Sequence, residues 1–108
     1  MHLRRDASNS VQEFACRGHA GFSQPGEDIV CAGVSGVIGA LALGLTEVAR
    51  LPVNPEASDG FFRVSRPPGL SAEQLQQWNL LVETAVLALA DLERNYRGFL
   101  QVKARRRR

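Results

Sequence analysis

The stretch GHAGFSQPGEDIVCA, residues 18–32, marks the transition from a predicted strand through a loop into a long helix. Asp28 is a good helix N-cap, because its carboxylate can accept hydrogen bonds from the free amides of the first turn. Cys31 then falls at about the third helical position, where unpaired N–H groups and the helix dipole favour a thiolate. The loop is predicted to run from Ala20 to Glu27 on the basis of its turn-forming residues, Gly21, Pro25 and Gly26.

A histidine and a cysteine flank this loop, since His19 lies twelve positions before Cys31. A thiolate beside an imidazole that later protonates a leaving group is sufficient for thiol acyl transfer. Spacing alone leaves open a buried, inert cysteine and a hydrogen-bonded loop histidine, since free cysteine is among the most buried residue types.

The residues of this stretch closely resemble the signature of the ribosomal-processing cysteine protease (Prp) family. The signature reads Gly18-His19-Ala20, then Gly26-x-Asp28-Ile29-Val30-Cys31-Ala32-x-x-Ser35. The resemblance continues to the end of the predicted elements and covers most of the chain. It implies a small bacterial cysteine protease that removes a short N-terminal extension from a large-subunit ribosomal protein, cutting after aromatic and small residues. It also implies a homodimer.

The resemblance implies specific roles for the residues around the loop. The dyad maps onto His19 and Cys31, and the accessory positions map onto Asp28 and Ser35. Asp28 either orients His19 or only caps the helix. Ser35 either helps to orient the site or bonds a carbonyl four residues back. We expect the amides of Cys31 and Ala32 to hold the oxyanion, and we expect a loop closing over the peptide to include Ala20, Gly21 and Gly26.

Length and composition predict one domain over residues 1–104 with a basic tail, Arg105 to Arg108. The tail accounts for the net charge of +2, and a solvated end is favoured over an RNA contact. Two cysteines make no disulfide framework and fit a reducing, cytoplasmic compartment. The main alternative function is a non-catalytic module that touches ribosomal RNA through this tail.

No cofactor or metal is expected. The chain has no phosphate-binding glycine motif and no dinucleotide fingerprint. Cys16 and His19 lie an odd number of residues apart, so on one strand they would point to opposite faces, which disfavours a zinc site that includes Cys31. A second alternative keeps the same dyad but acts on a non-peptide acyl substrate.

The element order is predicted as ββαββαβ, an α+β fold in which two helices pack on a small mixed sheet of about five strands. The second helix begins at a capping box, Ser71-Ala72-Glu73-Gln74, and its apolar stripe includes Trp78 as a core residue. The first strand is predicted to begin at Leu3, and the others are predicted at Val11–Arg17, from Leu51–Val53, at Phe61–Arg66 after an Asp59-Gly60 turn, and at Phe99–Lys103.

The first helix is predicted from Asp28 to about Arg50. Its uncharged run of 18 residues, Ile29 to Thr46, reaches the length of a membrane span, but four glycines dilute its hydrophobicity. A buried central helix is therefore expected rather than a span. A strip of small residues at every fourth position predicts the close approach of the second helix or of a symmetry mate, namely Ala32, Gly36, Ala40 and Gly44.

Overall fold

The computed structural model describes residues 1–17 and 27–95. Within them, four antiparallel strands form one sheet, in which the first strand of the chain lies at an edge and is followed by the second, the fourth and the third. The α+β class with two helices is confirmed, whereas the described strands number four and are antiparallel rather than mixed. The predicted last strand, Phe99–Lys103, and the basic tail lie outside the described residues. The strands are β1 (His2–Arg5), β2 (Val11–Arg17), β3 (Glu56–Ser58) and β4 (Phe61–Ser65), and the helices are α1 (Glu27–Leu43) and α2 (Ala72–Asn95).

The strands predicted from Leu3 and at Val11–Arg17 pair as an antiparallel hairpin, in which β1 begins one residue earlier, at His2, and β2 has the predicted bounds. The Asp6 carboxylate accepts hydrogen bonds from the amides of Ser8 and Ser10, at 2.9 and 3.0 Å. Asn9 adopts a positive φ of 70°, a conformation that asparagine tolerates better than most residues. The turn is therefore held by local side-chain chemistry that the sequence already displays.

Strict alternation along β2 predicts that Val11 lies on the face opposite Phe14 and Cys16, and this prediction is wrong. All three side chains are buried. The pairing shifts between Arg4 and Arg5, so that Arg5 lies opposite Val11 and Gln12 becomes an extra residue. Such a bulge inverts the alternation and turns Val11 toward the core.

The capping box at the start of α2 is confirmed in both directions. The Ser71 amide donates to Gln74 Oε1 at 2.9 Å, and the Gln74 amide donates to Ser71 Oγ at 3.1 Å. Trp78 is fully buried, and its Nε1 donates to the carbonyl of Val11 at 2.8 Å. This bond satisfies the indole N–H and fixes α2 against the start of β2.

The first helix differs from the prediction at both ends. It begins at Glu27 and ends as a regular α-helix at Leu43, after which residues 44–48 form a π-helical turn. The turn closes with the Ala49 amide donating to the Gly44 carbonyl at 2.8 Å. Arg50 follows with a φ of 54°, and this left-handed conformation ends the helical segment.

The expectation of a buried central helix is wrong for one face of α1, because Ala32, Gly36 and Ala40 are exposed. Helix α2 packs elsewhere, since a Cβ built on Gly33 would lie 3.1 Å from Leu92 Cδ2 and one on Gly44 would lie 3.1 Å from Leu81 Cδ2. Of the four small residues predicted to contact α2, only Gly44 lies against it, among the described contacts. Among the described residues, neither helix is long and apolar enough to cross a membrane.

The third strand does not begin at Leu51–Val53 as predicted but at Glu56. Leu51 is instead buried in the core, and its amide donates to the Leu45 carbonyl at 2.9 Å, so this backbone is committed to the end of the helix. The Asp59-Gly60 turn is confirmed, with a φ of 73° at Gly60. Phe62 and Val64 share the buried face of β4.

Candidate active site

Two elements carry the residues of the candidate site. Strand β2 ends at Arg17, two residues before His19, and α1 begins at Glu27 and carries Cys31 as its fifth residue. His19 and the predicted substrate-loop residues lie outside the described residues, namely Ala20, Gly21 and Gly26. The structure therefore places the backbone of the candidate nucleophile, and the pairing of His19 with it stays a prediction.

The observed start of α1 changes the position of Asp28. Because Glu27 is already helical, Asp28 lies within the first turn rather than at the N-cap. In a regular α-helix that starts here, the amides of Cys31 and Ala32 donate to carbonyls four residues back. An oxyanion held by these amides would compete with the helix's own hydrogen bonds, and this assignment also stays a prediction.

Ser35 lies one turn after Cys31 on the same side of α1, and its side chain is exposed. An exposed hydroxyl at this spacing is accessible to a molecule bound beside Cys31. The accessory role of Ser35 stays a prediction.

The other cysteine has a different environment. Cys16 is 9% exposed and lies within the core, opposite Phe62 in the neighbouring strand. Burial raises the pKa of the Cys16 thiol above its ordinary value, although the nearby N-terminal ammonium opposes this shift. A buried thiol with a raised pKa is a poor nucleophile at neutral pH. Cys16 is therefore a packing residue.

Sequence reasoning missed the contact at the end of β2. Arg17 lies directly opposite Phe61 in the β2–β4 pairing, and its guanidinium carbon is 5.2 Å from the centre of the Phe61 ring. Such a geometry is a cation–π interaction. The alternating pattern of β2 places Arg17 on the outer face, but its neighbour becomes known only with the register.

No group of three or more His, Cys, Asp or Glu side chains among the described residues is placed to hold a metal ion.

A family model described as cysteine protease Prp matches residues 1–101. The chain belongs to this family. It is 33% identical over 102 residues to the ribosomal processing cysteine protease Prp of Bacillus subtilis (strain 168), an alignment that covers 93% of this chain and 91% of that protein. Membership of the Prp family makes the chain a cysteine protease, as the signature around Cys31 predicts.

Solved structures share the fold of this Prp family member. The Prp of S. aureus, crystallised with a substrate peptide, superposes with a TM-score of 0.75 at 19% identity and covers 96% of each chain. SMU.848 from Streptococcus mutans gives a TM-score of 0.76 at 24% identity, covering 98% of this chain and 92% of that one. At these identities the likeness concerns the fold.

Proposed function

We propose that this chain is a cysteine endopeptidase that removes the short N-terminal extension of a bacterial large-subunit ribosomal protein. The observation that carries the proposal is the contrast between its two cysteines. Cys16 is buried in the core, whereas Cys31 lies five residues into α1 within the family signature. The name of the Bacillus subtilis relative supports ribosomal processing as the activity, and the complex of the S. aureus Prp with a substrate peptide supports a peptide as the substrate.

The proposed mechanism begins with proton transfer from the Cys31 thiol to His19. The thiolate attacks the peptide carbonyl and forms a tetrahedral intermediate. His19 then gives its proton to the leaving amine, so that the C–N bond breaks and a thioester remains on Cys31. Water attacks the thioester while His19 accepts its proton, which releases the carboxylate product and restores the thiol.

Several residues support this dyad in the proposal. Asp28 either orients His19 or acts on the helix start, and Ser35 either helps to orient the site or bonds a carbonyl four residues back. The amides of Cys31 and Ala32 stabilise the oxyanion, which requires them to give up their hydrogen bonds to carbonyls in the first turn of α1. The loop containing Ala20, Gly21 and Gly26 closes over the substrate. The reaction takes place in the cytoplasm, where reducing conditions keep the thiol free.

The exposed small-residue face of α1 supports a homodimer. Ala32, Gly36 and Ala40 leave room for a second backbone to approach closely, and Leu43, at the end of the same helix, is 60% exposed. Ala40→Glu is expected to shift the protein to monomer in sedimentation velocity, because it places a charge in that interface. Gln76→Glu, at an exposed position of α2, is the matched control. An unchanged sedimentation coefficient in both variants would contradict a dimer through α1.

The proposal is tested by peptide cleavage followed by mass spectrometry. The substrate is a synthetic peptide that copies the extended N-terminus of the organism's own ribosomal protein. We expect one cut with the wild type and with Cys16→Ala, and no cut with Cys31→Ala or His19→Ala. Absence of cleavage with an intact, folded wild type would contradict the peptide substrate, and cleavage by Cys31→Ala would contradict the nucleophile.

A further inference from the structure

We propose that the outer face of the sheet carries an accessory subsite for the peptide substrate, in which Arg17 binds a carboxylate side chain of the peptide. The inference rests on the proposed peptidase function. It adds a contact outside the dyad and names the chemistry that this contact recognises.

Most charges on this face neutralise one another. Arg4 pairs with Glu13 at 3.3 Å, Glu13 lies 4.0 Å from Arg63, and Arg63 pairs with Glu56 at 2.6 Å. These four side chains form a ladder across all four described strands, with two positive and two negative charges. The ladder is therefore neutral overall.

Arg17 stands outside this ladder. Its guanidinium lies over the Phe61 ring, and among the described residues no carboxylate pairs with it. A guanidinium carries several N–H donors, so its contact with one ring leaves donors for a carboxylate. Arg17 therefore gives the end of β2 a positive charge beside an aromatic ring.

A depression of about 320 Å³ opens beside Arg17 on the same face. Ala15 contributes a small side chain to it, so an incoming side chain has room between the flanking residues. The lining residues are His2, Glu13, Ala15, Arg17, Phe61 and Arg63. Because Glu13 and Arg63 belong to the neutral ladder, Arg17 adds a positive charge to this rim, which favours an anionic group. A carboxylate matches the planar fork of an arginine in a two-point hydrogen bond.

The position along the chain connects this depression to the peptidase site. Arg17 precedes His19 by two residues, a length of chain that spans at most about 7 Å. An extended peptide covers about 3.3 Å per residue. A glutamate or aspartate a few residues from the bond that is cut can thus reach Arg17, and the subsite would add substrate affinity without entering the chemical step.

Binding is tested without catalysis by NMR on the full-length Cys31→Ala protein. The probes are the blocked tripeptides Ala-Glu-Ala and Ala-Gln-Ala, acetylated and amidated, and inorganic phosphate. We expect only the glutamate probe to shift the amide signals of Ala15, Arg17, Phe61 and Arg63, and Arg17→Gln to abolish these shifts. Arg50→Gln removes the same charge away from the sheet and is the matched control. Equal shifts with the glutamine probe or with phosphate, or shifts confined to other regions, would overturn the proposal.

Kinetic measurements distinguish a role of Arg17 in substrate binding from a role in the chemical step. For a peptide with one glutamate near the cut, Arg17→Gln is expected to raise KM about fivefold with kcat unchanged, the size of one partly exposed charge-assisted contact. The glutamine version of the peptide should show no such difference. A fall in kcat at constant KM would make Arg17 a positioning residue and overturn the proposal. Failure of the wild type to cleave any peptide counts against the proposed function, while the NMR result stands independently.

Discussion

Both terminal guanidinium nitrogens of Arg5, in β1, donate hydrogen bonds to the carboxylate of Glu83, in α2, at 2.5 and 3.1 Å. The two residues lie 78 positions apart in sequence. The same guanidinium donates to the Asn9 carbonyl at 2.9 Å, and Arg5 is only 7% exposed. The Glu83 contact raises the pKa of the Arg5 guanidinium, although burial acts against this. One ion pair therefore ties the edge strand, the first turn and the second helix together.

Removing the negative charge of this pair should destabilise the protein. Glu83→Gln leaves a buried arginine without a counter-charge, and we expect a loss of about 2 kcal/mol, less than for a fully buried pair because Glu83 is partly exposed. Urea unfolding monitored by Trp78 fluorescence measures the change. Asp91→Asn removes the partner of the exposed Arg94 and should cost about 0.5 kcal/mol or less. Equal losses in the two variants would refute the role of burial.

The first turn should make stability depend on pH in the acid range. Hydrogen bonds from the Ser10 and Ser8 amides and the contact with Arg66 lower the pKa of Asp6 below its ordinary value of 3.8. A group with a lowered folded-state pKa stabilises the fold above its unfolded pKa, and this contribution is lost as the pH falls through the folded value.

We therefore expect the stability gap between the wild type and Asp6→Asn to be full at pH 6 and to shrink as the pH falls below about 4. Protonated aspartate resembles asparagine in charge, so the two proteins should converge at the acid end. The midpoints of thermal unfolding at several pH values measure the gap. A gap that is constant with pH would show that Asp6 acts without its charge.

Two glycines of α1 should respond differently to alanine. Nothing lies within 4 Å of a Cβ built on Gly39, so Gly39→Ala should stabilise the helix by about 1 kcal/mol. A Cβ on Gly33 would lie 3.1 Å from Leu92 Cδ2, so crowding should cancel much of the same gain. Chemical unfolding measures the change in the free energy of unfolding for each variant. Equal stabilisation by Gly33→Ala and Gly39→Ala would contradict close packing of α1 against Leu92.

Local signals were the predictable part of the fold. The capping box at Ser71 and Gln74, the buried stripe around Trp78 and the bounds of β2 depend on neighbours in sequence, and all three are confirmed. The bulge that buries Val11 could not be foreseen, because it arises from the pairing register between two strands. The exposed face of α1 depends on where α2 packs, which a strip of small residues does not specify.

The candidate site likewise has features that can be predicted from the sequence and features that depend on the fold. The motif around His19 and Cys31 is contiguous enough to recognise in sequence, and the family match agrees with it. The packing role of Cys16 depends on its burial in the core, and the contact of Arg17 with Phe61 depends on register. Residues whose role comes from a distant partner were therefore the ones that sequence reasoning missed.

The most direct test of the central claim is to identify the cysteine that a substrate-like electrophile modifies. The probe is a chloromethyl ketone of the peptide that ends at the cut, from which a thiolate displaces chloride and forms a stable thioether. Trypsin then separates the two cysteines, because Cys16 falls in residues 6–17 and Cys31 in residues 18–50. We expect one adduct per chain, located on Cys31 by fragmentation, with cleavage activity lost in proportion. An adduct on Cys16, or full activity after complete modification of Cys31, would contradict the account.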